Sequence, residues 1–239
     1  KHEQDRARAC DDPFINDAIT PPSFSMPAMQ QLRERAFPYC SWAKSDVEAA
    51  FPCMKLAQDD LPWMMFTWYA PDDTDFTGSD TDCLYVHTHG NFGPRPLPHH
   101  FTMLMLAVNI AARANGLDIP AAFIDDNIHT GIMSDLQAAA PAYWDHLRLA
   151  GVADKLSKRE FLLMVGDLLG VWFDSIHMTL SIPQDKLTRL QTTIQSHLDS
   201  NQASFADACH LLGYWEFCSV LIPGFMRGFM HSFQMFRNS

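Results

Sequence analysis

Two adjacent aspartates, Asp125 and Asp126, lie inside an apolar segment, and this pair constrains the fold more than any other feature of the sequence. The segment reads AAFIDDNIHTG over residues 121–131. Apolar residues on both sides of a polar pair predict two short strands joined by a tight turn. Two carboxylates about 5 Å apart repel each other by roughly 3 kcal/mol at an effective dielectric constant near 20. A divalent cation would turn that repulsion into binding, whereas an ordinary surface hairpin would expose the turn to water.

A third carboxylate decides between these two interpretations. Asp46 lies near the end of a second predicted strand, residues 42–47, in the segment SWAKSDVEAAF. If the two strands are neighbours in a sheet, Asp46 meets Asp125 and Asp126. Three clustered carboxylates are what two metal ions about 3.5–4 Å apart require for in-line phosphoryl transfer. The sequence therefore predicts a two-metal site that joins these two segments.

The composition is that of a globular protein with a sizeable core. The chain has 239 residues, of which 47% are hydrophobic and 19% are charged. Its six cysteines have neither paired nor metal-ligand spacing, which favours free thiols and an intracellular location, in cytoplasm or nucleus. No apolar run reaches membrane-spanning length, so no membrane partner is expected. The net charge of −11 argues against a broadly basic surface, but it leaves room for a local basic groove.

Periodicity predicts a mixture of helices and strands, which is the α+β class. Helical spacing covers residues 97–115 and 134–149 and most of the chain after residue 183. Strands are predicted at residues 42–47, 63–69, 83–87, 119–124, 161–165, 168–173 and 178–182. The strands at 63–69 and 83–87 are separated by an acidic loop and are predicted to form a hairpin.

Several short motifs occur in a fixed order along the chain. They are RACDDPFIN, KSDVEAAF, NFGPRPLPHHF, FIDDN, AGVADKLSKREF and LLGVWF. Together they resemble the motifs of reverse transcriptases, most closely those of retrotransposons of the long-terminal-repeat and DIRS kinds. The chain departs from the pattern in three places: Leu97 stands where alanine is usual, Phe123 stands where tyrosine is commoner, and in RACDDPFIN one residue is missing and no arginine follows Asp12. The resemblance covers residues 6–235.

The resemblance implies a right-hand polymerase fold with fingers, a palm built on an antiparallel sheet, and a helical thumb. Residues 1–182 would form fingers and palm, with the palm core at about 41–55 and 96–182. Residues 183–239 would form the thumb and connection helices. The chain would be part of a longer polyprotein with other domains.

The resemblance also implies the catalytic centre. Asp46, Asp125 and Asp126 match the catalytic carboxylates, which would hold Mg²⁺ or Mn²⁺. The backbone carbonyl group of Val47 would be a further metal ligand. These ions would activate the primer hydroxyl group and hold the leaving pyrophosphate.

Further residues are matched to substrate binding. Four would bind the deoxynucleoside triphosphate (dNTP): Arg8, Phe51, Gly93 and Lys158. Phe51 would exclude a ribose 2′-hydroxyl group, and Lys158 would neutralise or protonate the pyrophosphate. Each has a plainer interpretation, Phe51 as a core aromatic residue and Lys158 as a solvated lysine.

The segment LLGVWF resembles a Leu-Gly-containing hairpin that grips the primer end. The primer terminus would therefore be positioned by Gly170 and Trp172, for which simple packing is the alternative. The function implied is an RNA-directed, and also DNA-directed, DNA polymerase that uses a template-primer and dNTP. Two other hypotheses stay open. One is a degenerate or domesticated retroelement segment that binds nucleic acid without catalysis. The other is a metal-dependent hydrolase that combines the aspartates with His87 and His89, which lie on one face of a predicted strand.

Overall fold

The computed structural model describes residues 16, 20, 28–67, 84–200, 204–219 and 221. Arg8, the predicted triphosphate ligand, lies outside the described residues, as does the acidic loop between the predicted hairpin strands. The role of Arg8 as a triphosphate ligand therefore stays a prediction.

The described residues form five α-helices. They are α1 (Ala28–Arg35), α2 (Leu97–Ala114), α3 (Met133–Leu149), α4 (Gln184–Ser200) and α5 (Phe205–Ser219). The predicted helices at residues 97–115 and 134–149 are confirmed, and so is the helical character of residues 184–200 and 205–219. Helix α2 ends where Gly116 takes a φ of 75°, a conformation that favours glycine.

Nine strands complete the described residues. They are β1 (Ser41–Asp46), β2 (Met65–Thr67), β3 (Leu84–Val86), β4 (Ala121–Phe123), β5 (Asp126–Gly131), β6 (Glu160–Leu163), β7 (Val165–Leu168), β8 (Val171–Asp174) and β9 (Thr179–Ser181). One sheet has the order β4-β5-β1-β6, a second joins β2 and β3, and a third has the order β7-β8-β9. The predicted hairpin is confirmed by the antiparallel pairing of β2 with β3. The predicted α+β class is confirmed.

Burial follows the predicted faces of the two long helices. On α2 the buried side chains are spaced by three or four residues, at Phe101, Met105, Val108 and Ala112. On α3 they are Leu136, Ala140, Tyr143, Trp144 and Leu147. Side chains at this spacing share one face of a helix, so each helix presents one apolar face to the core.

The single strand that periodicity predicts at residues 168–173 is wrong, because the chain reverses direction inside it, whereas the hairpin implied by the resemblance of LLGVWF is observed. Leu168 pairs with Val171 across the β7-β8 hairpin, so Leu169 and Gly170 form a two-residue turn. Both have positive φ, 54° and 80°. This combination is typical of a type I′ turn, which favours Asn-Gly over Leu-Gly. Because residues 168–173 are nearly all apolar, hydrophobic periodicity did not predict the turn.

We therefore expect Leu169→Asn to stabilise the protein by about 1 kcal/mol, since a left-handed conformation costs a Cβ-bearing residue about 1–2 kcal/mol and asparagine tolerates it better. Chemical denaturation of the variant measures the effect. Leu169→Ala is the control, because alanine keeps the steric conflict and should not stabilise. A gain in both variants would show that side-chain exposure, not backbone conformation, is responsible.

The chain divides into two compact units. The first contains Lys44–His129 and Gln137–Glu160, and the second contains Ala28–Ala43, Thr130–Leu136 and Phe161–Ser239. The predicted boundary between residues 182 and 183 separates functional regions rather than compact units and stays a prediction. Among the described residues, no helix combines the length and the apolar character needed to cross a membrane.

Candidate active site

The two aspartates lie at a tight turn between β4 and β5. Phe123 pairs with Asp126, which leaves Ile124 and Asp125 as the turn residues. Ile124 has a φ of 51°. Such a conformation is a true outlier for a β-branched residue and costs of the order of 1–3 kcal/mol, which a fold retains only where its surroundings enforce it. The predicted pair of strands and turn is confirmed, with a strained residue immediately before Asp125.

Backbone hydrogen bonds bring Asp46 to this turn. The Val47 N–H group donates to the Asp125 carbonyl oxygen at 2.8 Å. On the other side, the Lys155 N–H group donates to the Asp46 carbonyl oxygen, also at 2.8 Å. Val47 itself is buried. The end of β1 is thus fixed between the aspartate turn and the segment that carries Lys158.

Two lysines pair with the carboxylates. Lys158 Nζ lies 2.6 Å from Asp46 Oδ2, and Lys44 Nζ lies 3.3 Å from Asp126 Oδ1. No ion pair joins Asp125 to any residue that the structure describes. Lys158 was expected near the reacting phosphates, but Lys44 was missed. The signal was present in the sequence, since residues two apart on a strand point to the same face and Lys44 precedes Asp46 by two.

Burial and mutual repulsion disfavour the charged forms of both turn aspartates. The pKa of Asp125 is raised, mainly because burial removes water from the carboxylate, and the charges of Asp126 and Asp46 add to the rise. Burial also raises the pKa of Asp126, against the opposing effect of Lys44. Carboxylates whose charge the fold disfavours are suited to a cationic ligand, because the ligand removes the repulsion.

The pKa of Lys158 is raised, chiefly by its hydrogen bond to Asp46. Lys158 therefore holds its proton firmly while it contacts Asp46. To donate that proton to a pyrophosphate, it would first have to leave Asp46.

The three carboxylates supply the hard oxygen ligands that Mg²⁺ and Mn²⁺ prefer. No group of three or more acidic, histidine or cysteine side chains is already arranged around a metal position in the described ranges. Asp46 and Asp126 are directed to lysines instead. The donor set fits divalent cations by its chemistry, and a bound metal ion would compete with the two lysines for Asp46 and Asp126.

A buried polar network includes residues of β5, the strand that follows the turn, and the sequence did not predict it. The Tyr143 hydroxyl group donates to Asn109 Oδ1 at 2.6 Å and contacts Asn127 Oδ1 at 3.4 Å. His129, fully buried, packs edge-on against the Tyr143 ring and pairs with Asp118 at 3.3 Å. Burial raises the pKa of Tyr143. Since Asn127 and His129 belong to β5, this network fixes the strand that begins with Asp126.

Phe51 lies in an aromatic cluster in the first compact unit, which also contains the three aspartates. It is 8% exposed and packs edge-on against Phe92 and Phe101, with ring centroids 5.1 and 6.1 Å away. The interpretation as a core aromatic residue is therefore correct, and contact with a sugar stays a prediction for its remaining exposed edge. A buried glycine, Gly90, lies against the Phe51 carbonyl oxygen, where an added Cβ would be only 2.6 Å away.

Asn16 fixes the loop that contains Gly93. Its side-chain amide group donates to the Gly93 carbonyl oxygen at 3.1 Å, and its Oδ1 accepts from the Arg95 N–H group at 2.9 Å. Gly93 has a φ of 126°, which only glycine adopts readily. Asn16, the last residue of the RACDDPFIN motif, is thus joined to the Gly93 loop, which is distant in sequence. Binding of dNTP by Gly93 stays a prediction.

The predicted primer-grip residues belong to the second unit. The N–H group of Gly170 donates to Asp167 Oδ1 at 2.7 Å, and its carbonyl oxygen accepts from Lys186 Nζ at 2.9 Å. Trp172 is 45% exposed. The hairpin is therefore fixed at its turn, and the Trp172 side chain is exposed to solvent. Contact of this side chain with a primer stays a prediction.

Among the described residues, no metal-binding group of side chains combines His87 or His89 with the aspartates. His87 Nε2 lies 3.0 Å from Asn91 Nδ2, and the ring stacks on Phe66 at 4.2 Å. His89 contacts the neighbouring Thr88 side chain at 3.0 Å. These contacts give no support to a hydrolase that combines His87 and His89 with the aspartate turn.

Comparison with known proteins gives structural matches only. No protein-family model and no curated protein matches the sequence significantly. A foamy viral protease-reverse transcriptase in complex with double-stranded DNA is similar over 85% of this chain, with a TM-score of 0.61 and 15% identity. A second such structure, in complex with an RNA/DNA hybrid, has a TM-score of 0.57 over 83% of this chain. A third, in complex with double-stranded DNA, has a TM-score of 0.53 over 84% of this chain. Both are 15% identical to this chain in sequence.

The chain spans 32%, 24% and 37% of the length of those three proteins. At 15% identity, the similarity concerns the fold and not the chemistry. The right-hand polymerase fold that the motifs implied agrees with these matches, and the retrotransposon subtype stays a prediction. The described chain has a reverse transcriptase-like α+β fold.

Proposed function

We propose that this chain is the RNA-directed DNA polymerase region of a retroelement, able to copy DNA templates as well. It would transfer a nucleotide from a dNTP to a primer 3′-hydroxyl group. One observation carries the proposal: within a reverse transcriptase-like fold, backbone hydrogen bonds bring Asp46 to the turn that holds Asp125 and Asp126. A single hairpin of surface carboxylates would need no such convergence.

The roles of the residues follow from the charges at the site. Asp46, Asp125 and Asp126 would hold two Mg²⁺ or Mn²⁺ ions, which supply activation of the hydroxyl group and stabilisation of the leaving group. The carbonyl group of Val47 would assist. Lys158 would move from Asp46 to the pyrophosphate, where its ammonium group would neutralise the developing charge.

The proposed partners are a template-primer duplex and a dNTP. The three similar structures were determined with DNA or an RNA/DNA hybrid, and this chain shares their fold. Because protein contacts to phosphates release counterions, the affinity for a primer-template should fall steeply with salt. An affinity that does not change with salt would contradict a phosphate-binding groove.

Primer extension tests the proposal. The purified protein is supplied with an RNA template, a DNA primer, dNTPs and Mg²⁺ or Mn²⁺, and the variant Asp125→Asn is assayed beside it. Extension by the wild type alone would support both the polymerase and its carboxylates.

A non-catalytic nucleic-acid-binding segment is the second candidate. The pairing of Asp46 and Asp126 with lysines favours it, since each of these carboxylates has a positively charged partner within the chain. Folded wild type that binds primer-template with salt-dependent affinity, yet extends no primer with either cation, would select this candidate.

We expect Phe51→Val to reduce discrimination against ribonucleotides by at least about tenfold, because a shorter side chain no longer meets a 2′-hydroxyl group. The ratio of kcat/KM for a dNTP and its ribonucleotide measures the effect. Phe101→Val is the control, since it shortens a fully buried member of the same aromatic cluster. Equal losses of discrimination in both variants would show that the cluster acts only through packing.

A further inference from the structure

One charged residue beside the carboxylates has no part in the proposed reaction. Lys44 lies on β1, two residues before Asp46, and its Nζ contacts Asp126 Oδ1 at 3.3 Å. The side chains of Lys44 and Asp126 are 21% and 23% exposed, so water shields the pair only partly. Lys44 is also the opposing positive charge that acts most strongly on Asp126.

We propose that Lys44 is a built-in counter-cation that competes with a divalent metal ion for Asp126 and thereby sets the metal concentration at which the site fills. This inference rests on the proposed function in that it treats the three carboxylates as metal ligands. It adds a positioning residue that none of the motifs assigns.

Geometry makes the competition direct. A divalent ion such as Mg²⁺ requires carboxylate oxygens at about 2.0–2.1 Å. The Lys44 ammonium group lies 3.3 Å from Asp126 Oδ1, so a metal ion bound to Asp126 would have a second positive charge within a few ångströms. Like charges at such a separation repel each other. Metal binding therefore favours movement of the ammonium group away from Asp126.

The strand keeps the competitor close after it is displaced. The backbone of Lys44 is part of β1, but its charge lies on a flexible four-carbon chain. The ammonium group can therefore swing aside without disturbing the sheet, and it remains available to return. A tethered competitor acts at a high effective concentration, unlike a cation from solution.

Lys158 differs from Lys44 because the proposed reaction gives it a second partner. It contacts Asp46, and its side chain is 40% exposed. The proposed reaction also gives Lys158 a second place, at the pyrophosphate. Lys44 has no such alternative partner in the reaction, and its effect is therefore measurable on metal binding alone.

The test is direct binding of Mn²⁺ to protein stripped of divalent ions by chelation, followed by electron paramagnetic resonance of the free ion. We expect Lys44→Met to bind Mn²⁺ about tenfold more tightly than the wild type, and Lys44→Arg, which keeps the charge, to stay within about twofold. Lys55→Met is the matched control. It makes the same charge change at an exposed lysine that is not among the charges acting on Asp125 or Asp126.

Thermal unfolding separates competition from simple structural support. If Lys44 competes with metal, Lys44→Met melts lower than the wild type without Mn²⁺ and gains more from added Mn²⁺. If Lys44 only supports the fold, the variant melts lower by the same margin with and without Mn²⁺, and the proposal is overturned. Equal affinities of Lys44→Met and wild type for Mn²⁺, or undetectable binding by both, overturn it as well.

Primer extension by the same preparations distinguishes this inference from the proposed function. Tighter Mn²⁺ binding by Lys44→Met in a protein that extends no primer would support the inference and reject the polymerase. Unchanged Mn²⁺ binding in an active polymerase would reject the inference and leave the polymerase intact.

Discussion

Asp125→Asn should lower primer extension at least about 10³-fold, equivalent to about 4 kcal/mol of transition-state stabilisation. The amide group has nearly the same shape as the carboxylate but carries no charge for a divalent ion. Asp125 lies at the turn between β4 and β5, and its carbonyl oxygen accepts the Val47 N–H group. The variant keeps this backbone contact, so the loss should arise from the charge alone.

The same variant should unfold at a higher temperature when divalent ions are chelated. The fold raises the pKa of Asp125 from its ordinary value of 3.8. The folded protein therefore binds that proton more tightly than the unfolded chain, and its stability falls as pH rises from 3.8 through the raised pKa. At neutral pH the charged Asp125 thus destabilises the folded protein, and a neutral amide at this position would remove the cost.

Melting curves at pH 7 and primer extension on the same preparation measure both effects. Asp59→Asn makes the same chemical change at an exposed residue of the 3-10 helix Gln58–Met64 and should alter neither quantity. Loss of activity together with a lower melting temperature would indicate that Asp125 is a structural residue. Retained activity would remove Asp125 from the proposed catalytic centre.

Gly166→Ala should destabilise the protein by about 2–3 kcal/mol, because it overfills a rigid part of the core. An added Cβ at Gly166 would lie 2.6 Å from Trp42 Cζ2 and 3.1 Å from Cη2. The indole ring is fully buried, so it can make room only by displacing other core side chains. Urea denaturation measures the loss.

A double-mutant cycle identifies the cause. Trp42→Phe removes the two ring atoms that the Cβ would meet, so the double variant should be more stable than the sum of the single losses by at least about 1 kcal/mol. Gly131→Ala is the control, since its Cβ would meet Leu136 at an ordinary 3.6 Å. Strictly additive losses would show that the cost of Gly166→Ala does not come from Trp42.

Local pattern was sufficient for several elements because their cause is local. Apolar residues spaced by three or four positions predicted α2 and α3 nearly to their ends. Alternation and a polar pair predicted the turn that carries Asp125 and Asp126. The order of short motifs implied the right-hand fold, which the structural matches support. In each case the information lies within a few residues, or in the order of such segments.

Local pattern was misleading at Leu169. The apolar run over residues 168–173 has the composition of a buried strand, yet the chain turns within it. Two hydrogen bonds hold the turn: the Gly170 N–H group donates to Asp167, and Lys186 donates to the Gly170 carbonyl oxygen. Neither contact can be inferred from the apolar pattern of residues 168–173.

Residue identity and local spacing predicted which residues carry charge at this site and on which elements they lie. The pairing of those charges could be seen only in the folded chain: Lys44 with Asp126, Lys158 with Asp46, and Asp125 with neither. The same holds for Gly166, which must leave room for Trp42. Ion pairing and steric exclusion depend on separations of a few ångströms, which strand order and register set and which residue spacing does not encode.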